Sequence, residues 1–289
     1  MIGLMDCNNF FVSCERIFDL SLVGKPVAVL SNNDGCVISR SNELKALGVP
    51  MGMPMFELSA LPFSRSIRMR SSNYELYGDI SRRVMCALTE FVPSIEQYSV
   101  DEAFLHPELP PDADFFALGR NIRRSILQWI GVPVGVGFAP TKTLAKIANH
   151  IGKKRPEGVF VLPPDPSGVL ANIPVGEVWG VGRRLVDRLV RRGIRTALDL
   201  ARSDETDLRS RFHVGLARTA LELRGVPCIE EIGDDEPSQS ITYSRSFGHP
   251  VTLLSDLEES IAFYLSRAAE KLRREGQKAA GANLYFQYY

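Results

Sequence analysis

Two adjacent carboxylates, Asp101 and Glu102, lie in a mostly apolar stretch that reads Tyr98-Ser99-Val100-Asp101-Glu102-Ala103-Phe104. The residues on either side alternate as they do in a strand or hairpin. Neighbours on a strand point to opposite faces, so the two carboxylates can converge only at a strand end or in a tight turn. Such a pair is costly unless a cation neutralises it, and a hard divalent metal prefers oxygen ligands. An isolated Asp-Glu pair is more often a solvated turn, so the interpretation depends on a third carboxylate.

The N-terminus supplies a candidate for that third carboxylate. The chain opens with a short apolar run that ends in an acid, Met1-Ile2-Gly3-Leu4-Met5-Asp6. A buried strand that stops at Asp6 would place its carboxylate at a strand tip. Asp6, Asp101 and Glu102 would then hold two magnesium ions, an arrangement used for in-line phosphoryl transfer. Because this pairing joins distant parts of the chain, the sequence leaves it open.

The hydrophobic periodicity predicts the elements that position these acids. We expect a hairpin over 25–39, whose turn signal is Asn32-Asn33-Asp34-Gly35, and a helix over 41–47 that Ser41 caps. Further helices are predicted over 74–88, 115–129 and 141–148, with a glycine-interrupted strand over 134–138. This order resembles a split βαβ sheet into which residues 25–70 are inserted, an α/β (α+β) fold.

Two side-chain pairs in the first part of the chain also suggest a site. Phe10 and Phe11 are adjacent in a helical pattern, so only one of them easily joins the core. The other could form the wall of a pocket beside Asp6, although aromatic residues are usually buried. Arg40 and Lys45 lie close enough in sequence for both long side chains to address one anion.

Composition limits the class of protein. The chain has 289 residues with 45% hydrophobic and 24% charged residues, which is an ordinary globular composition and a length suited to two to four domains. Neither a membrane-spanning run nor a signal peptide is evident, so we expect a cytoplasmic protein. The five cysteines form no C-x-x-C pair and fit a reducing compartment, and the scattered histidines argue against a zinc site.

A basic segment lies beyond the carboxylates. Residues 142–224 contain sixteen Lys and Arg against nine Asp and Glu. A basic segment opposite an acidic remainder is typical of a polyanion-binding enzyme, although solvated helix faces also explain many such runs. Within it, Gly180 and Gly182 precede Arg183 and Arg184, which predicts a helix-hairpin-helix whose backbone N–H groups receive a phosphate. A plain turn between two helices is the alternative.

The last part of the chain begins with an acidic linker over 230–240. A strand over 241–247, an amphipathic helix over 257–274 and a strand from 282 to 289 are predicted to follow. Such a fragment would have unpaired edges, so we expect a domain that is unfinished at residue 289.

Several multi-residue motifs occur in an order that resembles the Y-family DNA polymerases, and most closely their UmuC type, the catalytic subunit of bacterial polymerase V and its plasmid relatives. Besides residues 98–104, the motifs are Asp6-Cys7-Asn8-Asn9-Phe10-Phe11-Val12-Ser13-Cys14-Glu15, Ser31-Asn32-Asn33-Asp34-Gly35-Cys36-Val37-Ile38, Ser71-Ser72-Asn73-Tyr74-Glu75-Leu76-Tyr77, Thr141-Lys142-Thr143-Leu144-Ala145-Lys146 and Ser244-Arg245-Ser246-Phe247-Gly248. The resemblance implies a right-hand polymerase that performs template-directed, error-prone synthesis past damaged bases in an SOS-type response to DNA damage. Its domains would be the palm (1–24 and 71–165), fingers (25–70), thumb (166–229), linker (230–240) and a partial little finger (241–289).

The resemblance also implies roles for individual residues. Asp6, Asp101 and Glu102 would ligate two Mg²⁺, and Phe11 would be the steric gate that excludes a ribose 2′-OH. The remaining implied roles are the triphosphate contacts of Lys45, Lys153 and Ser39, a roof over the templating base from Ile38 and Cys36, and phosphate contacts of the thumb at Gly180, Gly182, Arg183 and Arg184. Many UmuC relatives carry Tyr where this chain has Phe11, and Phe should still gate by bulk.

The implied partners are primer-template DNA, deoxynucleoside triphosphates, a UmuD-type subunit and RecA, with no membrane. A sliding-clamp contact is not expected, because family members carry that motif beyond the position where this sequence stops. Two alternatives stay open at this point. The chain could be a catalytically weak or inactive DNA-binding remnant, or a nucleotidyl cyclase built on the same sheet, which would have no duplex for a basic helical segment to hold.

Overall fold

A five-stranded sheet carries the predicted acidic site residues. The structure is a computed structural model that describes residues 1–110, 112–230, 239–244, 247 and 250–286. In these residues the strands are β1 Ile2–Cys7, β2 Val27–Leu30, β3 Val37–Arg40, β4 Arg68–Ser71, β5 Ser94–Gln97, β6 Glu102–His106, β7 Val134–Ala139 and β8 Val159–Val161. The helices are α1 Phe10–Phe18, α2 Asn42–Ala46, α3 Met55–Ala60, α4 Tyr74–Leu88, α5 Phe115–Ile130, α6 Lys142–Gly152, α7 Ser167–Leu170, α8 Arg183–Val190, α9 Ala197–Arg202, α10 Glu205–Arg211, α11 Val214–Leu223 and α12 Leu254–Arg274.

The strand order in this sheet is β5-β6-β1-β7-β8. Strand β1 lies at its centre and pairs antiparallel with both β6 and β7, while β8 runs parallel to β7. All six residues of β7 are buried, which fits a strand covered on both faces. The predicted strands at the N-terminus and at 134–138 are therefore confirmed.

The two faces of the five-stranded sheet are covered by different elements. Met5 and Cys7 of β1 pack into a core with residues of α1, α4 and α5. Leu4, on the opposite face, packs with residues of α6 and of the helical segment 166–229. Side chains of a strand alternate between faces, so Asp6 shares the face of Leu4 and points toward α6.

Helix α6 approaches the sheet very closely at Gly137 of β7. A Cβ atom added there would lie 2.1 Å from the backbone nitrogen of Asn149. The Asn149 side chain donates a hydrogen bond to the carbonyl oxygen of Leu4 (3.1 Å), which ties α6 to β1. This close approach brings the lysines of α6 over the end of β1.

Residues 25–70 form a separate three-stranded sheet, ordered β3-β2-β4, with α2 and α3. The predicted hairpin and the helix cap are confirmed: β2 and β3 are antiparallel, and the Ser41 hydroxyl accepts a hydrogen bond from the Leu44 N–H. Strand β4 pairs parallel with β2, and it was not predicted because its sequence Arg68-Met69-Arg70-Ser71 has no apolar run.

The helical segment 166–229 contains α7 to α11 and packs on α6 through a shared core. Residues 174–190 differ in part from the predicted helix-hairpin-helix, because Val175–Glu177 is a single 3₁₀ turn rather than a helix. The glycine turn is present, with Gly180 at φ +84°, and α8 follows it.

A buried carboxylate, Glu222 of α11, fixes this segment to the sheet domain. It accepts hydrogen bonds from the N–H groups of Thr143 (3.0 Å), Cys228 (2.8 Å) and Ile229 (3.2 Å). Lys142, itself buried beside Glu96, donates to the carbonyl oxygen of Glu230 (2.9 Å). We call this set of contacts the Glu222 clamp; it holds residues 228–230 against the start of α6.

The last part of the described chain contains the predicted amphipathic helix, α12, which is confirmed. The predicted strands over 241–247 and 282–289 are wrong in the residues that the structure describes there, since none of these is paired into a sheet. A strand needs a neighbouring strand for its backbone groups, and alternation alone does not supply one. Most of the predicted linker, 231–238, lies outside the described residues, as do 245, 246, 248, 249 and 287–289. Among the described helices, none combines the length and apolar character needed to cross a membrane.

Candidate active site

The three predicted acids lie at one end of the five-stranded sheet. Asp6 is directly opposite Glu102 in the pairing of β1 with β6. Asp101 precedes β6 in a tight turn, where its carbonyl oxygen accepts a hydrogen bond from the Cys7 N–H (2.9 Å). The Ser99 hydroxyl shapes this turn: it donates to Asp101 Oδ1 (2.8 Å) and accepts from the Glu102 N–H (3.1 Å). The predicted tight turn is thus confirmed, and of the non-local pairing the structure shows the part that joins Asp6 to Glu102.

Lys146 of α6 and Lys153, which directly follows α6, form ion pairs with two of these acids. Lys146 Nζ lies 2.9 Å from Glu102 Oε2, and Lys153 forms an ion pair with Asp6. Burial raises the pKa of Asp6 to about 7 even though the Lys153 ammonium lowers it. Burial also acts to raise the pKa of Glu102, but hydrogen bonds from Asp6 and Lys146 outweigh it and hold that pKa below its ordinary value. Burial thus works against the ionised form of Asp6, whereas the neighbours of Glu102 favour its ionised form.

The donor chemistry of the three acids suits a hard divalent cation such as Mg²⁺. Carboxylate oxygens are its preferred ligands, and because burial raises the pKa of Asp6 to about 7, a bound divalent cation would stabilise the ionised form of this acid. Within the described residues, however, no three acidic, His or Cys side chains are arranged to ligate one ion. Lys153 pairs with Asp6 and Lys146 bonds one oxygen of Glu102, so ligation by all three acids requires at least the Lys153 side chain to rearrange.

An open cleft of about 290 Å³ lies beside the acids, between α6 and the helical segment. Asp6 and Glu102 form part of its wall together with Leu4, Lys146, Asn149, His150, Lys153, Glu177 and Trp179. His150 Nε2 lies 3.0 Å from Glu177 Oε2 and bridges the cleft.

The two adjacent phenylalanines differ as predicted. Phe10 is buried, whereas Phe11 is partly exposed. The Phe11 ring stacks on Tyr77 of α4, with ring centroids 4.4 Å apart and an angle of 14° between the planes, and it meets the edge of Tyr74. The Tyr77 hydroxyl donates a hydrogen bond to Glu15 Oε1 (2.7 Å), which fixes the ring beneath Phe11.

Lys45 of α2 lies near enough to the acids for its charge to interact with that of Asp6. Lys45 donates a hydrogen bond to Asn9 Oδ1, and Asn9 Nδ2 donates to Asn42 Oδ1 (3.0 Å), so these residues connect the two sheets. Burial lowers the pKa of Lys45, and the nearby charges of Arg40 and Lys153 lower it further. Arg40 and Lys45 are thus close enough to influence one another, although the Arg40 guanidinium bonds to the Val49 carbonyl oxygen.

The structure separates some residues that were predicted to act together. On β3, Ile38 is partly exposed while Ser39 faces the interior and is 7% exposed. The structure therefore does not bring Ser39 to the same surface as Ile38. Cys36 lies at the hairpin turn, where its N–H donates to the Ser31 hydroxyl (3.1 Å).

The predicted phosphate-binding residues lie at the beginning of α8. Gly182 is its N-cap and brings no side chain to the first N–H groups, which leaves them open to an anion. Gly180 adopts a positive φ that disfavours other residues, and Arg183 and Arg184 are exposed.

Comparison with known proteins identifies the family. A model of the impB/mucB/samB family matches residues 5–150, and a model of the C-terminal domain of that family matches 238–289. The chain is 46% identical to protein UmuC of Salmonella typhimurium and 39% identical to protein MucB of Escherichia coli, in each case over 96% of this chain and 67% of the relative. The chain belongs to the UmuC type of Y-family DNA polymerases. It spans about two thirds of the length of these relatives.

More distant members of the Y-family agree with this assignment. DNA polymerase IV of Pseudomonas aeruginosa is 33% identical over 72% of this chain and 60% of its own length. Among solved structures, an insertion ternary complex of Dbh DNA polymerase matches with a TM-score of 0.67 at 29% identity, covering 77% of this chain and 67% of that one. DinB from Sulfolobus solfataricus matches with a TM-score of 0.66 at 29% identity, covering 77% and 66%. The resemblance, the α/β fold and the function in translesion DNA synthesis are confirmed, and the nucleotidyl cyclase alternative is set aside.

Reasoning from sequence missed several residues of this Y-family site. Tyr74 and Tyr77 were placed in a helix and in a family motif without a role at the site, and Lys146 was noted only within a motif. The sequence did contain a signal for Lys146. It lies three residues before Asn149 on the helix that Thr141 caps, and residues three apart share a helix face, so Lys146 lies on the same side of α6 as Asn149.

Proposed function

We propose that this chain extends a DNA primer past damaged template bases by two-metal nucleotidyl transfer at Asp6, Asp101 and Glu102. The observation that carries the proposal is the pairing of Asp6 with Glu102 across adjacent strands, with Asp101 in the turn beside them. The bound ions would lower the pKa of the primer hydroxyl and neutralise the leaving pyrophosphate.

The chain's own residues would bind and orient the nucleotide. Lys45 and Lys153 now contact Asn9 and Asp6, and each would exchange that partner for a phosphate oxygen of the incoming nucleotide. The exposed edge of Phe11 would lie beneath the sugar and exclude a 2′-OH by bulk. Ile38 and Cys36 would cover the templating base, and Ser39 would add a hydroxyl to the triphosphate only if β3 exposes it.

We further propose that the sheets and helical segments correspond to the domains of a right-hand polymerase. The palm would comprise 1–24 and 71–165, the fingers 25–70, the thumb 166–229, and a partial little finger 241–289. The N-terminus of α8 would then hold backbone phosphates of the duplex. Family membership also supports a cytoplasmic location, and a UmuD-type subunit and RecA as partners, which pull-down with the purified proteins would test.

Primer extension with Mg²⁺ tests the central proposal, and Asp101→Asn is the decisive variant. Asparagine keeps the size of the side chain and removes the charge, so we expect extension to fall by at least about a hundred-fold, as when one group that stabilises a transition state is lost. The affinity for primer-template DNA should change little, because cationic side chains that contact phosphates supply most of it and Asp101 is not one of them. Extension at the parent rate would remove Asp101 from the metal site.

Absence of extension by the parent chain, with DNA binding retained, would favour the second candidate function, a DNA-binding remnant. The exposed Arg183 and Arg184 and the uncapped N-terminus of α8 would be sufficient for that role.

A further inference from the structure

Three aromatic rings converge around the ammonium group of Lys146. We call Tyr98, Phe104 and Trp179 the aromatic cage; the centroid of Tyr98 lies 5.8 Å from that of Phe104 and 5.5 Å from that of Trp179. Lys146 Nζ lies 4.2 Å from the centroid of Tyr98, 5.2 Å from that of Trp179 and 5.7 Å from that of Phe104. At these distances each ring face attracts the cation, so the cage fixes the position of Nζ.

The aromatic cage is built from two parts of the molecule. Tyr98 and Phe104 belong to the hairpin that carries Asp101 and Glu102, whereas Trp179 belongs to the helical segment. The indole Nε1 of Trp179 donates a hydrogen bond to the Tyr98 hydroxyl (3.2 Å) across this boundary. The position of Lys146 therefore depends on how the helical segment sits on the sheet.

Lys146 in turn determines where one oxygen of Glu102 lies. Its Nζ is 2.9 Å from Glu102 Oε2, and both side chains are largely buried, with 16% and 20% of their surfaces exposed. Without Lys146, the Glu102 carboxylate would face Asp6 with Lys153 as the nearest cation, and Lys153 is already paired with Asp6. A lysine held by three rings thus sets the orientation of a carboxylate in the candidate metal site.

The part of the helical segment that would meet DNA is joined directly to the cage. Gly180, Gly182 and the start of α8 follow Trp179 in one tight turn, in which the Val181 N–H donates to the Val178 carbonyl oxygen (3.0 Å). A phosphate bound at the N-terminus of α8 would therefore displace or fix Trp179. Such a movement reaches Glu102 through Lys146.

We propose that Lys146 is a positioning residue that couples duplex binding at the helical segment to divalent-cation binding at the acids. This inference rests on the proposed function, because it requires the acids to bind the cation. Coupling between two binding sites is reciprocal: if DNA strengthens cation binding, the cation strengthens DNA binding by the same factor.

The test measures cation binding directly, without catalysis. Free Mn²⁺ is followed by electron paramagnetic resonance in titrations of the full chain, with and without a primer-template duplex, after correction for Mn²⁺ bound by the duplex itself. For the parent protein we expect the duplex to raise Mn²⁺ affinity by at least about five-fold, the lower end of common coupling strengths.

Variants of the cage then separate coupling from simple electrostatics. The coupling is the ratio of the Mn²⁺ affinity with duplex to the Mn²⁺ affinity without it. In Lys146→Gln and in Trp179→Phe this ratio should fall to about two or less, because the first variant loses the cation and the second loses the hydrogen bond to Tyr98. Lys146→Arg keeps a cation over the rings and should restore most of the ratio. Trp129→Phe is the matched control: Trp129 stacks on Phe91, outside the cage, and its loss should leave the ratio unchanged.

A second measurement follows Trp179 itself. The chain has two tryptophans, so in the Trp129→Phe protein the emission comes from Trp179 alone. Mg²⁺ should shift this emission, and Lys146→Gln should abolish the shift. If the duplex leaves the Mn²⁺ affinity of the parent protein unchanged, or if it changes the affinity of Lys146→Gln as much as that of the parent, the coupling is overturned. The proposed metal site at the acids would not be affected by either result. Mn²⁺ binding that is unchanged in Asp6→Asn, Asp101→Asn and Glu102→Gln overturns the proposed metal site, and this inference with it.

Discussion

Phe11 owes its position to the tyrosines beneath and beside it. One face of its ring is covered by Tyr77, and the Tyr77 hydroxyl is held by Glu15. A ring that is supported in this way cannot easily turn aside. If Phe11 excludes ribonucleotides as proposed, that exclusion would therefore depend on Tyr74 and Tyr77 of α4 as well as on Phe11.

Phe11→Ala should therefore admit ribonucleotides. Removal of the ring deletes a clash with the 2′-OH rather than a contact with the deoxyribose. We expect the preference for deoxy- over ribonucleotides, taken as the ratio of their kcat/KM values, to fall by ten- to a hundred-fold, where each factor of ten is about 1.4 kcal/mol. Phe116→Ala, at an exposed position of α5, serves as the control. Unchanged selectivity would remove Phe11 from the gate.

The raised pKa of Asp6 makes the stability of the metal-free protein depend on pH. An unfolded Asp titrates near 3.8, whereas the native carboxyl titrates at about 7. Between these values the native protein binds more protons than the unfolded chain, so the free energy of unfolding falls as pH rises from about 4 to about 7. Glu102 acts in the opposite sense, because its lowered pKa gives stability that is lost as pH falls.

Urea unfolding in EDTA across this pH window measures the balance. We expect the free energy of unfolding of Asp6→Asn, relative to the parent, to rise by up to about 4 kcal/mol between pH 4 and pH 7, since the pKa of Asp6 is raised from 3.8 to about 7 and one pKa unit corresponds to about 1.4 kcal/mol. Glu102 titrates in both proteins and does not account for the difference between them. Parallel curves for the two proteins would show that burial does not penalise the ionised Asp6.

At the scale of elements, the contact between α6 and β7 determines where Lys146 and Lys153 lie. Gly137→Ala would place a methyl group 2.1 Å from a backbone nitrogen of α6, and a side-chain rotation cannot relieve that contact. We expect a loss of about 3 kcal/mol in the free energy of unfolding, at the upper end for overpacked cores, together with a loss of extension because α6 must move away from the acids.

Gly78→Ala provides the matched control for this substitution. Gly78 lies inside α4, and a Cβ there would meet no atom within 4 Å. Alanine favours a helix over glycine by up to about 1 kcal/mol, so this variant should be slightly more stable. Chemical denaturation of both proteins gives the comparison, and equal effects of the two substitutions would contradict a close contact at Gly137.

Local sequence patterns predicted the secondary-structure elements around the site well, but they did not predict the contacts between those elements. The hairpin over 25–39, the Ser41 cap and the turn around Asp101 depend on neighbouring residues, and all three were predicted. Strand β4 and the parallel pairing of β8 depend on distant partners and were missed, whereas the strand patterns over 241–247 and 282–289 have no partner in the described residues. The bonds of Lys146 and Lys153 to Glu102 and Asp6 could not be predicted, because they follow from the packing of α6 on the sheet.

At the scale of the whole molecule, positive and negative charges lie in different places. Arg183 and Arg184 are exposed at the start of α8, where DNA would meet them, whereas Asp6 and Glu102 line the cleft. Arg183→Ala and Arg184→Ala should each weaken duplex binding alike for every sequence. Each should also reduce the slope of log affinity against log salt concentration by about 1, as for the loss of one phosphate contact. Arg82→Ala, an exposed arginine of α4 that pairs with Asp79, should leave the slope unchanged. Fluorescence anisotropy over a salt series gives these slopes; an unchanged slope for both thumb variants would place the duplex elsewhere.

The Glu222 clamp also determines where the rest of the chain starts. Residues 228 and 229 are bonded to Glu222 near the end of α11, and residue 230 is bonded to Lys142 at the start of α6. Any module that follows is therefore tethered from residue 230, where both helices hold the chain. A tether that starts at a fixed point searches a smaller volume, and its effective concentration near that point rises. Lengthening the chain before residue 228 would leave this volume almost unchanged, whereas the same insertion after residue 230 would enlarge it.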